Sequence, residues 1–105
     1  MKTARRAADW IASAERPYFV WLHLFDPHGA HEPPPPFDTL YDPDYRGPAT
    51  GDWYSITVEE RLERSSDPSI LEHTRALYAG EVSYADREVG RVEGPGVLED
   101  ARIGG

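Results

Sequence analysis

Apolar positions change their spacing along this chain, and each change marks an element. Over residues 3–14, Ala4, Ala7, Ala8, Ile11 and Ala14 recur three and four apart, which predicts a helix packed along one face. Thr3 is placed to cap it, and Pro17 follows its end, where a helix cannot continue. Residues 18–25, YFVWLHLF, then form a run in which only His23 is clearly polar. The run is too short for a good helix and rich in aromatic and β-branched residues. It predicts a strand covered on both faces, as in a parallel sheet.

Residues 26–56 lose this periodicity. Pro33 to Pro36 predict extended, polyproline-like chain. Phe37, Tyr41, Tyr45, Trp53 and Tyr54 are scattered among Gly, Pro and Asp, so this long excursion is expected to pack its aromatics against something. Thr57 and Glu60 have capping-box spacing and predict a short helix to about Arg64. After the turn at residues 65–68, Asp67 or Ser69 can cap a long helix over residues 69–93. Ile70, Leu71, Leu77, Tyr78, Val82, Ala85, Val89 and Val92 predict its apolar face; Glu72, Arg75, Glu88 and Arg91 lie mainly opposite. Gly80 lowers helix propensity by roughly 1 kcal/mol relative to Ala, which suggests a close packing contact there.

Composition narrows the candidate partners. A net charge of −8 argues against a nucleic-acid phosphate backbone as partner. The absence of cysteine excludes disulfides and thiolate zinc sites. No apolar run approaches the roughly 18–20 residues of a membrane span. The first residues, MKTARRAADWIASAERP, lack the long apolar core of a secretory signal. At 105 residues the chain is long enough for one small domain. It nevertheless supplies one convincing strand, and three helices cannot satisfy the backbone edges of a lone strand. The expectation is an α/β fold in which this chain is one part of a larger domain.

The stretch from residue 18 to residue 36 also concentrates the chemistry. Converging neutral imidazoles from His23, His28 and His31 could hold zinc. However, period-two geometry places His23 inside the sheet, where a hydrogen-bonded core histidine is the preferred reading. His28 follows Asp26-Pro27 directly after the strand, and Pro27 stiffens that mount. A stiffly held imidazole can bind an anionic oxygen or protonate a leaving group. Asp26 could orient it, or could cap the turn as Asx residues do. From the residues alone, catalytic and structural readings of His28 both stand.

The stretch LHLFDPHGAHEPPPPF, followed by YAGEVSYADREVGRV, resembles the middle of a sulfatase of the alkaline-phosphatase-like superfamily. That family shows an apolar strand, D-P-H, a Pro-rich loop and then a helix of the form Y-x-x-E-V-x-Y-x-D-x-x-V-G. Here the helix motif falls on Tyr78, Glu81, Val82, Tyr84, Asp86, Val89 and Gly90. The resemblance covers residues 7–92 and implies an alkaline-phosphatase-like α/β sandwich, with residues 1–93 as part of the sulfatase domain and 94–105 as a truncated or divergent tail. It implies hydrolysis of sulfate esters by a hydrated formylglycine, made from Cys or Ser in C/S-x-P-S-R. It also implies a divalent cation, usually calcium, held by Asp and Asn side chains. The D-P-H histidine, here His28, would contact the sulfate and help the leaving group depart. Asp26 would brace the strand end, and His31 is a further substrate contact in this reading.

The chain departs from the family at the nucleophile and the metal. The serines at 13, 55, 65, 66, 69 and 83 all lack the S-x-P-S-R context. The paired metal-binding aspartates are missing, and GPGVLEDARIGG stands where D-H-G or D-N-G would follow, with VLEDARI like the approach to a next strand. The expectation is therefore an internal section of a sulfatase, binding no cofactor itself and inactive alone. Two alternatives remain: a phosphate or phosphonate ester hydrolase of the same superfamily, or a non-catalytic module whose proline run docks on an SH3-like or WW-like aromatic groove.

Overall fold

A computed structural model describes the backbone of residues 1–104 and the side chains of residues 1–92. Its regular elements are three helices: α1 (Lys2–Ser13), α2 (Val58–Ser65) and α3 (Pro68–Gly104). The chain divides into two units, Met1–Phe25 with Asp86–Gly105, and Asp26–Ala85.

The expected α/β fold with a central strand is corrected. Among the described residues there is no strand, and all regular structure is helical. The reason lies in what a strand requires. A ladder needs a neighbour to take its N–H and C=O groups, and among the described residues no second stretch provides one. Among the described residues, no backbone hydrogen bond outside the helices involves residues 18–24. The run keeps its alternation without a sheet: residues 18, 20, 22 and 24 are half-buried, whereas 19, 21, 23 and 25 are exposed. Phe19 is 83% and Trp21 81% exposed, so the expected covering on both faces does not occur. His23 is exposed as well, which overturns its assignment to the core.

In the first unit, α1 matches the expected span within a residue. Its N-cap is Met1 rather than Thr3, and no side chain caps it. Ala4 is its buried contact. The edge of Trp10 meets Tyr18, with ring centroids 5.6 Å apart and planes at 87°. Glu88, on α3, is 1% exposed. Its carboxylate lies 3.3 Å from both Arg87 Nη2 and Arg91 Nη1, and 3.9 Å from the amino terminus. A charge buried to that extent requires such partners.

In the second unit, α2 begins with the expected capping box. Glu60 N–H donates to Thr57 Oγ1 at 3.1 Å, and Thr57 N–H donates to Glu60 Oε2 at 3.0 Å. The helix buries no residue. Asp67 then caps the start of α3 by accepting Ser69 N–H at 2.9 Å, with Pro68 at the first helical position. The aromatics of the long excursion do pack, and they pack on α3. Tyr45 stacks on His73 at 3.7 Å, Phe37 meets Tyr84 at 5.6 Å, and Trp53 Nε1–H donates to Thr74 Oγ1 at 3.3 Å.

Two further expectations are corrected. The proline run is extended only at first: Phe37 N–H bonds the Pro34 carbonyl at 2.8 Å, so the chain turns at residues 35–38. The buried stripe of α3 is Ile70, His73, Leu77, Gly80, Glu81 and Glu88, whereas Tyr78, Val82 and Val89 are 47%, 43% and 36% exposed. The stripe has helical spacing but takes in polar residues. In the second unit the covering loop brings the His31 imidazole and the Glu32 N–H, both of which donate to Glu81. Where VLEDARI suggests the approach to a strand, α3 continues to Gly104. Val97, Leu98 and Ile103 of the tail lie outside the described side chains.

Candidate functional site

Asp26 and Pro27 open a turn directly after the apolar run, and His28 stands on that turn with its ring exposed. The His28 Nδ1–H donates to the Gly29 carbonyl oxygen at 2.8 Å. That acceptor places the ring's first proton on Nδ1, so Nε2 carries a proton only in the imidazolium form. In the imidazolium form Nε2–H is the second ring donor, the kind of group that can bind an anionic oxygen or protonate a leaving group. Asp26 is half-buried beside it.

His31 is held more firmly. Its Nδ1–H donates to Glu81 Oε2 at 2.7 Å, and the neighbouring Glu32 N–H donates to Glu81 Oε1 at 3.1 Å. The edge of Tyr78 closes on the ring at 5.1 Å. Glu81 is only 3% exposed, so its two oxygens are satisfied by the loop rather than by water. On the same loop, His31 N–H donates to the Gly51 carbonyl at 2.9 Å. There is no room for a Cβ at Gly51, because it would collide with the His31 carbonyl oxygen. A small cavity of about 170 Å³ lies against His31, Trp53, Tyr54 and Thr74.

A second histidine–carboxylate pair was not anticipated from the sequence. His73 Nδ1–H donates to Asp42 Oδ2 at 2.9 Å, and Tyr45 stacks parallel on the ring. His73 falls on the buried stripe at three- and four-residue spacing from Ile70 and Leu77, a position that spacing allows but does not decide for a polar residue. Its partner was not, since Asp42 sits in an aperiodic loop 31 residues away.

The groups that the sulfatase resemblance brings with it do not fit the residues present. Among the described residues no three His, Cys, Asp or Glu side chains converge to hold a cation. There is no cysteine, and no serine stands in the sequence that would become formylglycine. Comparison with known proteins finds no family model, no curated protein and no solved structure that matches this chain. No helix among the described residues is long and apolar enough to cross a membrane.

Proposed function

We propose that the chain carries the leaving-group histidine segment of a sulfuric-ester hydrolase, incomplete for catalysis by itself. One observation supports this above others. The D-P-H loop and the Y-x-x-E-V helix motif, on which the resemblance rests, meet in the fold: Glu81 of the second motif binds both His31 and Glu32 of the first. Two motifs 49 and 50 residues apart, joined at one buried carboxylate, form a single functional unit in this reading.

In that unit His28 is the residue that acts. As an imidazolium it keeps Nδ1–H on Gly29 and donates Nε2–H to the ester. That proton passes to the leaving oxygen as the sulfur–oxygen bond breaks. Glu81 and His31 fix the loop, because a misplaced donor loses rate steeply. The attacking nucleophile is supplied from outside these residues.

The test grafts residues 18–36 and 78–92 into an arylsulfatase in place of its matching segments. The graft is expected to hydrolyse 4-nitrophenyl sulfate, and His28→Ala to lower kcat by roughly 10²–10⁴-fold, the range of general acid catalysis. Equal kcat for the two folded grafts would sink the proposal. Faster turnover of 4-nitrophenyl phosphate than of the sulfate would transfer it to phosphate esters. The 105-residue chain alone, with calcium added, is expected to show no hydrolysis above its own His28→Ala variant.

A further inference from the structure

The histidines of the two histidine–carboxylate pairs line one open groove. It has a volume of about 390 Å³ and runs between the loop at residues 31–51 and α3. His31 and His73 both face it, together with Asp38, Thr50 and Leu77. Each imidazole gives its Nδ1–H to a carboxylate, Glu81 for His31 and Asp42 for His73. In the neutral ring that bond places the proton on Nδ1 and leaves Nε2 as the acceptor. His73 is only 8% exposed. Among the described residues its Nε2 takes no hydrogen bond, yet no fully buried side-chain nitrogen or oxygen is left without a partner. The Nε2 of His73 is therefore reached by solvent, and His73 lines the groove.

The lining decides what would bind there. The Glu32 and Asp38 carboxylates are acceptors, each neutral imidazole adds one at Nε2, and no Lys or Arg lines the groove. The chain as a whole carries −8. An anion would meet lone pairs and like charge. A bare metal ion is also disfavoured, since no three ligating side chains converge among the described residues and the space far exceeds one ion. Acceptors spread over the wall of an elongated space suit a ligand with several N–H donors. Leu77 and Pro33 add an apolar floor for an aliphatic stem.

We propose that this groove binds a small organic cation, an ammonium or guanidinium head group on an aliphatic stem. The head donates to His31 and His73 Nε2 and pairs with Asp38. The stem lies along Leu77 and Pro33. This site is separate in chemistry from the anion-directed role of His28, and it stands or falls independently of it.

The experiment titrates agmatine into the 105-residue, ¹⁵N-labelled chain and follows backbone amides and imidazole nitrogens by NMR. Saturable shifts are expected at His31, Thr50, Gly51, His73 and Leu77, including both Nε2 resonances. Asp38→Asn keeps the shape, removes the charge, and is expected to weaken binding about tenfold, as loss of a charge-assisted contact does. Circular dichroism of that variant checks that the fold is retained. Three results overturn the proposal. One is the absence of shifts up to about 10 mM agmatine, beyond the range of any specific site. A second is shifts spread over the acidic surface and unchanged in Asp38→Asn. The third is a response of the two Nε2 resonances to zinc or to inorganic sulfate but not to agmatine.

Discussion

Glu81 takes two donors from a loop 49 and 50 residues earlier in the chain, while being almost fully buried itself. Removing it leaves the His31 Nδ1–H without its acceptor and the Glu32 N–H with the Ala30 carbonyl alone, at 3.1 Å. Glu81→Ala is therefore expected to cost about 3 kcal/mol. Glu81→Gln keeps one carbonyl acceptor and should cost about 1–2 kcal/mol. Urea midpoints at constant slope measure both; equal losses would mean that lost volume dominates over the hydrogen bonds. From sequence alone Glu81 reads as a solvated helix charge, because the residue that buries it is set by the loop and not by helical spacing. Two other carboxylates act locally. Asp52 accepts from the Ser55 hydroxyl and from the Tyr54 and Ser55 N–H groups, and its pKa is lowered chiefly by the Ser55 hydroxyl. The Asp67 pKa is lowered first by the Ser69 hydroxyl and then by the Ser69 N–H. Each folded-state pKa thus lies below the ordinary 3.8. Their stabilisation is complete above that value and is lost as pH falls from 3.8 through the folded-state pKa, where the unfolded chain binds more protons. Asp52→Asn with Asp67→Asn should flatten that part of the stability profile, read as the urea midpoint against pH. An unchanged acid slope would exclude these two groups as its source.

At the scale of elements, what the sequence makes legible is local. The α2 capping box is encoded four residues at a time, so Thr57 and Glu60 could be placed in advance. The buried stripe of α3 was legible only in part. Periodicity finds Ile70 and Leu77. It cannot choose between a purely apolar face and one that takes in His73 and Glu81, since that choice depends on what the loop presents. Gly80 is where helix and loop press closest. A Cβ there would run into the Phe37 carbonyl oxygen and come within 3.2 Å of Pro33 Cγ. Helix propensity favours Ala over Gly by about 1 kcal/mol, but overlap with backbone cannot be relieved by a side-chain rotation and costs about 1–3 kcal/mol. Gly80→Ala should therefore destabilise the chain by up to about 2 kcal/mol. Gly90, whose added Cβ would meet nothing within 4 Å, is the control, and Gly90→Ala should stabilise by up to about 1 kcal/mol. Thermal midpoints that shift the same way in both variants would contradict the close approach at Gly80.

At the scale of the whole molecule, residues 18–24 stand out, since their backbone finds no ladder partner among the described residues. Residues 18–25 have the composition of a buried strand, and a strand can be completed only by another strand. Composition therefore suggested a sheet that the remaining residues cannot build. The Asp26–His28 turn and the second motif were legible as sequence patterns; that Glu81 joins them was not, because it is a long-range contact. The run exposes Phe19, Trp21 and Phe25, at 83%, 81% and 70%. Its backbone over residues 18–24 makes no hydrogen bonds outside the helices among the described residues. Such a stretch pairs readily with another strand edge. Opposing this is the net charge of −8, which keeps copies of the chain apart. The balance should depend on salt, because repulsion between exposed charges is screened within about 10 Å at 0.1 M while burial of aromatic surface is not weakened. The chain is expected to be monomeric at low ionic strength and to associate as salt is raised. Trp21→Lys places a charge in the middle of the run and should hold it monomeric throughout, without changing the helical circular dichroism signal. Sedimentation velocity across a salt series measures this. A chain that stays monomeric at high salt, or a Trp21→Lys variant that associates as readily as the parent, would show that residues 18–25 are not the adhesive segment.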